Sequence, residues 1–170
     1  FTWNSSVVVS FLKNKLLSLG EGRADIRYNE FILKPGEPIG SFFGYKYLGT
    51  YKPKDEAEAT AYNLKPGDAR YDDYNNDGVI NTTDYQIIGN AMPKTTLGWN
   101  NTLTYRSFTL NIFFSGMFGM DKLNYSYAYG MLGSTDAKEV LFEDIKNRYI
   151  PGVNETSDIP AFSSVPSNSY

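Results

Sequence analysis

Apolar and polar side chains alternate along residues 1–12. Phe1, Trp3, Val7, Val9 and Phe11 share one face, with Ser5 as its polar exception. Thr2, Asn4, Ser6 and Ser10 share the other, where Val8 and Leu12 are the exceptions. A period of two over this length predicts a β-strand. The clearest case lies at 94–119. With Arg106-Ser107 as a two-residue turn, Tyr105 faces Phe108, Leu103 faces Leu110, Asn101 faces Ile112 and Trp99 faces Phe114 on one side. On the other side Thr104 faces Thr109, Thr102 faces Asn111 and Gly98 faces Ser115. Residues 96–105 and 108–118 are therefore predicted to pair antiparallel. One face is aromatic and aliphatic, the other mostly hydroxyl and amide; Asn101 and Phe113 do not fit their faces. Arg-Ser lacks the Asn-Gly signature of a tight hairpin, so a register one residue away stays open.

Elsewhere the pattern is weaker. Residues 18–22 read as a turn, 24–33 as one strand, 34–38 as a break, and 41–51 (SFFGYKYLGTY) as an aromatic extended segment. Residues 52–92 form a long polar connection in which 55–61, rich in Ala and Glu, predict two helical turns. Lys65-Pro66-Gly67-Asp68 predicts a turn. Residues 121–170 are again long and polar. Within them 136–149 predict a helix, with Asp136 and Glu139 as a capping box, Ala137, Leu141 and Ile145 as its stripe, and Pro151 as its stop.

Composition narrows the chemistry. The 170 residues suffice for one ordinary domain and contain no Cys and no His. Disulfides, thiol nucleophiles, the usual zinc sites and imidazole acid–base catalysis are thereby excluded for this chain. The net charge of -3, without a basic patch, argues against nucleic acid as a partner. The 14 Tyr and 11 Phe suit strands and water–lipid interfaces. No run reaches the ~20 apolar residues of a membrane helix. The chain opens at Phe1 in what reads as mid-strand and closes without a final element, as expected of a piece of a longer protein.

One stretch carries a metal pattern. Asp73-Tyr-Asn75-Asn-Asp77-Gly78-Val79-Ile80-Asn81-Thr-Thr-Asp84 reads D-x-N-x-D-G-x-I-N-x-x-D. Oxygen donors recur as in a calcium-binding loop: the side chains of Asp73, Asn75, Asp77, Asn81 and Asp84, and the carbonyl of Val79. Gly78 stands where such a loop turns sharply, and Ile80 can anchor it inward. Asp84 stands where a calcium hand has Glu and is less often bidentate, so weaker or structural binding of calcium is expected. An Asn/Asp/Gly-rich turn without an ion is the alternative. The same spacing resembles one dockerin repeat, a calcium-dependent adhesion module, although such repeats come in pairs and each is followed by a helix. Tyr125, Tyr127 and Tyr129 would share a face if their segment were a strand, which raises a sugar-binding β-sandwich as a further option. Acid–base hydrolysis is not expected, because the carboxylates lie in Gly/Asn-rich turns rather than in an apolar pocket that would raise a pKa.

Two architectures use such alternation: a sandwich with one wet face and a transmembrane barrel. Hairpin arms of about ten residues match the nine to eleven of a tilted membrane strand better than the usual five or six. If 34–40 is also a short turn, the connections 52–92 and 121–170 both fall at the end opposite Arg106-Ser107, the plan of outer-membrane barrels.

An ordered series of motifs carries a resemblance. Gly36-Glu-Pro38-Ile-Gly40-Ser-Phe-Phe-Gly44-Tyr45, then Gly67-Asp68-Ala-Arg-Tyr-Asp72-Asp73, then Ile88-Gly89-Asn90 with Pro93-Lys94, then 108–116, then Ile145-Lys-Asn-Arg148-Tyr149 and Ile159-Pro160 resemble the late-barrel region of SusC/RagA-type TonB-dependent transporters. Ala91 departs from the Pro usual there. The resemblance covers nearly the whole chain but only part of that family's barrel, without its plug or final strands. It implies an all-β fragment of a transmembrane antiparallel β-barrel, with long extracellular loops carrying short helices. Residues 1–170 would be a partial receptor barrel, with 52–92 an extracellular loop holding the calcium-like motif, 94–119 a transmembrane hairpin and 121–170 a second extracellular loop. It also implies a cell outer membrane of a Gram-negative bacterium and import of oligosaccharides or peptides rather than catalysis. The implied partners are a SusD-like surface lipoprotein, outer-membrane lipid, and TonB acting through parts absent from this segment.

Overall fold

The computed structural model describes residues 1–22, 24–131 and 142–162. The described residues form nine strands: β1 (Thr2–Phe11), β2 (Ile26–Tyr28), β3 (Phe31–Leu33), β4 (Ser41–Gly44), β5 (Tyr47–Thr50), β6 (Ala69–Tyr71), β7 (Gln86–Asn90), β8 (Thr95–Tyr105) and β9 (Phe108–Phe118). Two short α-helices, α1 (Glu56–Ala61) and α2 (Tyr125–Met131), and three 3-10 turns accompany them. The chain divides into two compact units, residues 1–43 with 87–122, and residues 44–86 with 123–170.

The first unit is built on the sheet β1-β8-β9. The β8–β9 ladder runs from Tyr105 opposite Phe108 to Thr95 opposite Phe118 without a slip, in the register expected from the alternation. Arg106 closes the turn at φ 54, the left-handed conformation that a two-residue hairpin demands and that Asn or Gly more often supplies. β1 pairs with the free edge of β8, Thr2 opposite Thr104 and Phe11 opposite Thr95. Pairing strands so far apart in sequence was not legible from local pattern.

This register revises the loop plan. Phe11, Thr95 and Phe118 lie at one end of the sheet, so residues 12–94 are a single connection that leaves and re-enters there. The 34–40 turn is therefore not a short turn at the other end; it joins β3 to β4 in a small sheet ordered β2-β3-β4-β7. Residues 24–33 are not one strand either. Asn29, at φ 50, folds them into a β2–β3 hairpin. The 41–51 segment is likewise split into β4 and β5. Ile32, Ser41 and Phe42 are buried in the small sheet, where the Phe31 and Phe42 rings lie 4.9 Å apart.

The second unit has the β5–β6 ladder, with a bulge between Tyr47 and Gly49, and a core of Tyr51, Ala59, Ala69, Met131, Ile145 and Tyr149. Pro53–Asp55 forms a 3-10 turn that leads into α1, close to the two turns expected at 55–61. Residues 125–131 are helical, so Tyr125 and Tyr127 point to different sides and do not form a strand-face platform. Of the helix expected at 136–149, the part from 143 to 147 is a 3-10 turn. Residues 136–141, with the proposed capping box, lie outside the described residues.

Candidate functional site

The face of β1-β8-β9 that carries Trp3, Val7, Val9, Trp99, Leu103, Tyr105, Phe108, Leu110, Ile112 and Phe114 is apolar along its length, and most of it is exposed; Phe108 is 80% exposed. Such a continuous apolar patch needs a partner or a lipid environment. Two of its polar exceptions, Ser5 and Asn101, stand directly opposite each other. Each accepts an indole N–H: Trp3 Nε1 donates to Asn101 Oδ1 at 3.1 Å, and Trp99 Nε1 donates to Ser5 Oγ at 2.9 Å. The two misfits of the sequence pattern are thus the acceptors for the two tryptophans of the chain. Asn101 is only 6% exposed beneath them.

The loop from Asp73 to Asp84 closes through its own side chains. Asp73 Oδ2 accepts from Gly78 N–H at 2.8 Å and from the Tyr62 hydroxyl at 3.1 Å, and its Oδ1 from Asp77 N–H at 3.1 Å. Asp77 Oδ1 accepts from Val79 N–H, and its Oδ2 from Asn75 Nδ2. Asn81 N–H donates to Asp84 Oδ2 at 2.9 Å, which fixes the 3-10 turn Thr82–Asp84 and leaves Asp84 fully buried. Gly78 turns at φ 80, as the motif predicts; Val79 is exposed and Ile80 half-buried. Partial burial works against ionisation of Asp73. The Gly78 N–H, the Tyr62 hydroxyl and the Asp77 and Asn76 N–H groups outweigh it and hold the carboxyl below its usual range.

Among the described residues no three carboxylates gather as a cation would need. The side-chain oxygens of Asp73, Asn75, Asp77, Asn81 and Asp84 each accept from nearby backbone N–H groups, and the Val79 carbonyl accepts from Asn81 Nδ2. The donor set itself, all hard oxygens within one closed loop, fits calcium chemically. β7 starts at Gln86, two residues after Asp84, so the loop leads into a strand and not into the helix of a dockerin repeat.

The other motif residues meet in two clusters. In the first unit Asn90 Nδ2 donates to the Ile39 carbonyl and to Ser41 Oγ, Asn90 N–H donates to Asp121 Oδ2, and Ala91 N–H donates to the Gly40 carbonyl. In the second, the Tyr149 ring lies on Gly67, where an added Cβ would stand 2.5 Å from Tyr149 Cδ1. Ala161 N–H donates to the Gly67 carbonyl, and Tyr149 N–H to the Ile159 carbonyl. Lys52 Nζ reaches Thr50 Oγ1, the Thr156 and Ser157 carbonyls and, at 2.8 Å, Asp158 Oδ1. Residues from 44–86 and from 147–161 are thereby tied into one body. Sequence reasoning missed this clasp, because a lysine among neutral residues gives no local signal of its partners.

No protein-family model matches the chain. Curated relatives do. TonB-dependent receptor P3 of Formosa agariphila is 36% identical over 94% of this chain, and TonB-dependent receptor P26 of the same organism is 32% identical over 94%. TonB-dependent receptor P39 is 26% identical over 71%. The chain spans 17% of the length of P3 and of P26. By similarity along almost its whole length, it belongs to the TonB-dependent receptors, proteins of the Gram-negative outer membrane.

Proposed function

We propose that the chain forms part of the barrel wall and outer loops of a SusC/RagA-type importer that takes up oligosaccharides or peptides. The observation that carries this reading is the sheet β1-β8-β9. Its strands are ten or eleven residues long, one face is apolar and exposed, the other is mostly hydroxyl and amide, and residues 12–94 and the segment after 118 leave from one end. A strand tilted across a bilayer needs about nine to eleven residues, and such barrels place long loops on the outer side. In this reading Trp3, Trp99 and Leu110 face lipid, and Thr102 and Asn111 face the lumen. Residues 52–92 and 121–170 would belong to extracellular loops, where a SusD-like lipoprotein would meet them. TonB would act through parts of the receptor outside this segment. Asp73, Asn75, Asp77, Val79, Asn81 and Asp84 would hold a structural calcium that restrains the outer loop.

Cysteine labelling tests the membrane reading, since these 170 residues contain no Cys. In the full-length receptor in outer membranes, Leu110→Cys is expected to react with a lipid-soluble maleimide and to resist a charged one. Asn111→Cys, its neighbour on the other face, is expected to show the reverse. Equal labelling of both by the charged reagent overturns the reading.

A further inference from the structure

Arg106 is the one charged residue between Lys94 and Asp121. It is the first of the two residues of the β8–β9 turn and stands at φ 54, where Asn, Asp or Gly is favoured and a long side chain is not. The backbone of the turn therefore gives no reason for an arginine; the side chain has to supply it. The guanidinium lies over the Tyr105 ring, its Cζ 5.4 Å from the centroid, within the range of a cation–π contact. Tyr105 belongs to the apolar face and pairs with Phe108, which ends the same face on β9. The contact thus draws the charge toward the apolar side of the turn and away from the face of Thr104 and Thr109. Among the described residues Arg106 makes no ion pair.

Strand length sets the height of this charge. The 11 residues of β8 extend about 36 Å and, tilted by about 45°, rise about 25 Å, the height of the apolar band of an outer-membrane barrel. None of the side chains in 95–105 or 108–118 is charged, so Arg106 falls where the hydrocarbon ends and the headgroups begin. Its aliphatic stem can lie along the apolar side while the guanidinium reaches outward. There a planar cation with paired N–H groups fits a phosphate, which it can hold through two parallel hydrogen bonds, and Tyr105 and Phe108 flank it as interfacial rings. We infer that Arg106, stacked on Tyr105, binds the phosphate of an anionic phospholipid headgroup in the leaflet that meets the short turns. This inference rests on the outer-membrane reading, which turns the apolar face to lipid. It is independent of what the receptor transports.

The test uses the full-length receptor reconstituted in two kinds of vesicle, phosphatidylethanolamine with phosphatidylglycerol, and a neutral galactolipid without phosphate. Hydrogen exchange of 105–108 is measured in both. It is expected to be about fivefold slower in the phospholipid, the scale of one cation at an anionic surface. Arg106→Gln should lose that difference, and Arg106→Lys, which keeps the charge but not the paired donors, should keep part of it. Arg106→Asn should lose it too, yet be at least as stable as the wild type in detergent, because Asn tolerates the left-handed turn. Equal exchange in the two lipids, or a difference that persists in Arg106→Gln, overturns the inference. Protection restored in galactolipid by millimolar inorganic phosphate assigns the site to free phosphate and overturns a lipid ligand. Maleimide labelling of Leu110→Cys and Asn111→Cys in the same vesicles separates the two readings. If the charged reagent labels both alike, the membrane reading falls; if Leu110→Cys is shielded and exchange at 105–108 ignores the lipid, only the phosphate site falls.

Discussion

Trp3 and Asn101, 98 positions apart in the chain, are joined by a hydrogen bond of 3.1 Å from indole Nε1 to amide Oδ1, on a face that is mostly apolar. The bond solves two problems together. In lipid neither the indole N–H nor the amide finds water, so each is costly unless partnered. Trp99 and Ser5 repeat the arrangement across the same strand pair.

Asn101→Ala should therefore destabilise the assembled receptor by roughly 1–2 kcal/mol, since it strands the Trp3 N–H and not only the amide. The thermal midpoint of the receptor in detergent micelles checks this. Asn101→Ala combined with Trp3→Phe should recover part of the loss, because the second change removes the orphaned donor. A purely additive double variant would show that the two residues are not coupled.

The two faces of β9 should respond oppositely to charge. Ile112→Arg puts a guanidinium on the apolar face near mid-strand and should cost about 2–4 kcal/mol in a bilayer, while Asn111→Arg on the polar face should cost far less. Receptor levels in isolated outer membranes and folding into lipid vesicles read the difference. Similar losses at both positions would mean that the apolar face does not meet lipid.

Gly67 has a requirement of another kind. Its φ of 93 is costly for any side chain, and the Tyr149 ring occupies the place of a Cβ. Gly67→Ala should loosen the unit that contains Tyr51, Ala69 and Tyr149 by roughly 2 kcal/mol or more. The expected readout is faster hydrogen exchange in 47–71 and 145–161, with 95–118 unchanged.

The strand hairpin was legible because period-two alternation persists over two long arms, so a slip of one residue would put every apolar side chain on the wrong face. Its turn was legible only by elimination, since Arg106 takes a left-handed conformation its side chain does not favour. The β2–β3 hairpin was missed although Asn29, tolerant of positive φ, stood between two short apolar runs; three-residue strands are too brief to show a period. The β1–β8 pairing had a clue in Ser5 and Asn101, polar exceptions on otherwise apolar faces that turned out to be partners. The motif loop was legible in composition and turn. The orientation of its carboxylates was not, because oxygens that suit a cation suit backbone N–H groups equally well.

Acid should open the motif loop before the sheet. The donors around Asp73 hold its folded pKa below the unfolded value of about 3.9. A depressed carboxylate contributes stability that is present above the unfolded pKa and lost as pH falls through the folded one. Exchange of the Gly78 and Asp77 amides, corrected for intrinsic rate, should therefore accelerate as pH drops below about 4. In Asp73→Asn this acceleration should largely vanish.

Calcium makes the sharpest demand on the same loop. To hold the ion, Asp73, Asn75, Asp77 and Asp84 would bring oxygens to about 2.3–2.6 Å from it, using lone pairs left beside the N–H groups they accept from. The loop is already closed by its own hydrogen bonds, so binding would add ligands to an ordered segment and would not fold a disordered one. That predicts a local effect of modest size. In the full-length receptor, adding calcium should slow exchange within 72–86, chelator should reverse it, and 95–118 should not respond. Asp77→Ala should abolish the response and loosen the loop, because Asp77 also accepts the Val79 N–H at 2.9 Å. Asp77→Asn separates the two roles. It keeps an oxygen for Val79 but removes a charge, so the loop should stay ordered without calcium while the affinity falls. Protection in 72–86 that ignores both calcium and chelator would reduce the motif to a turn stabilised by its own side chains, and the calcium proposal would fail with the rest of the fold unaffected.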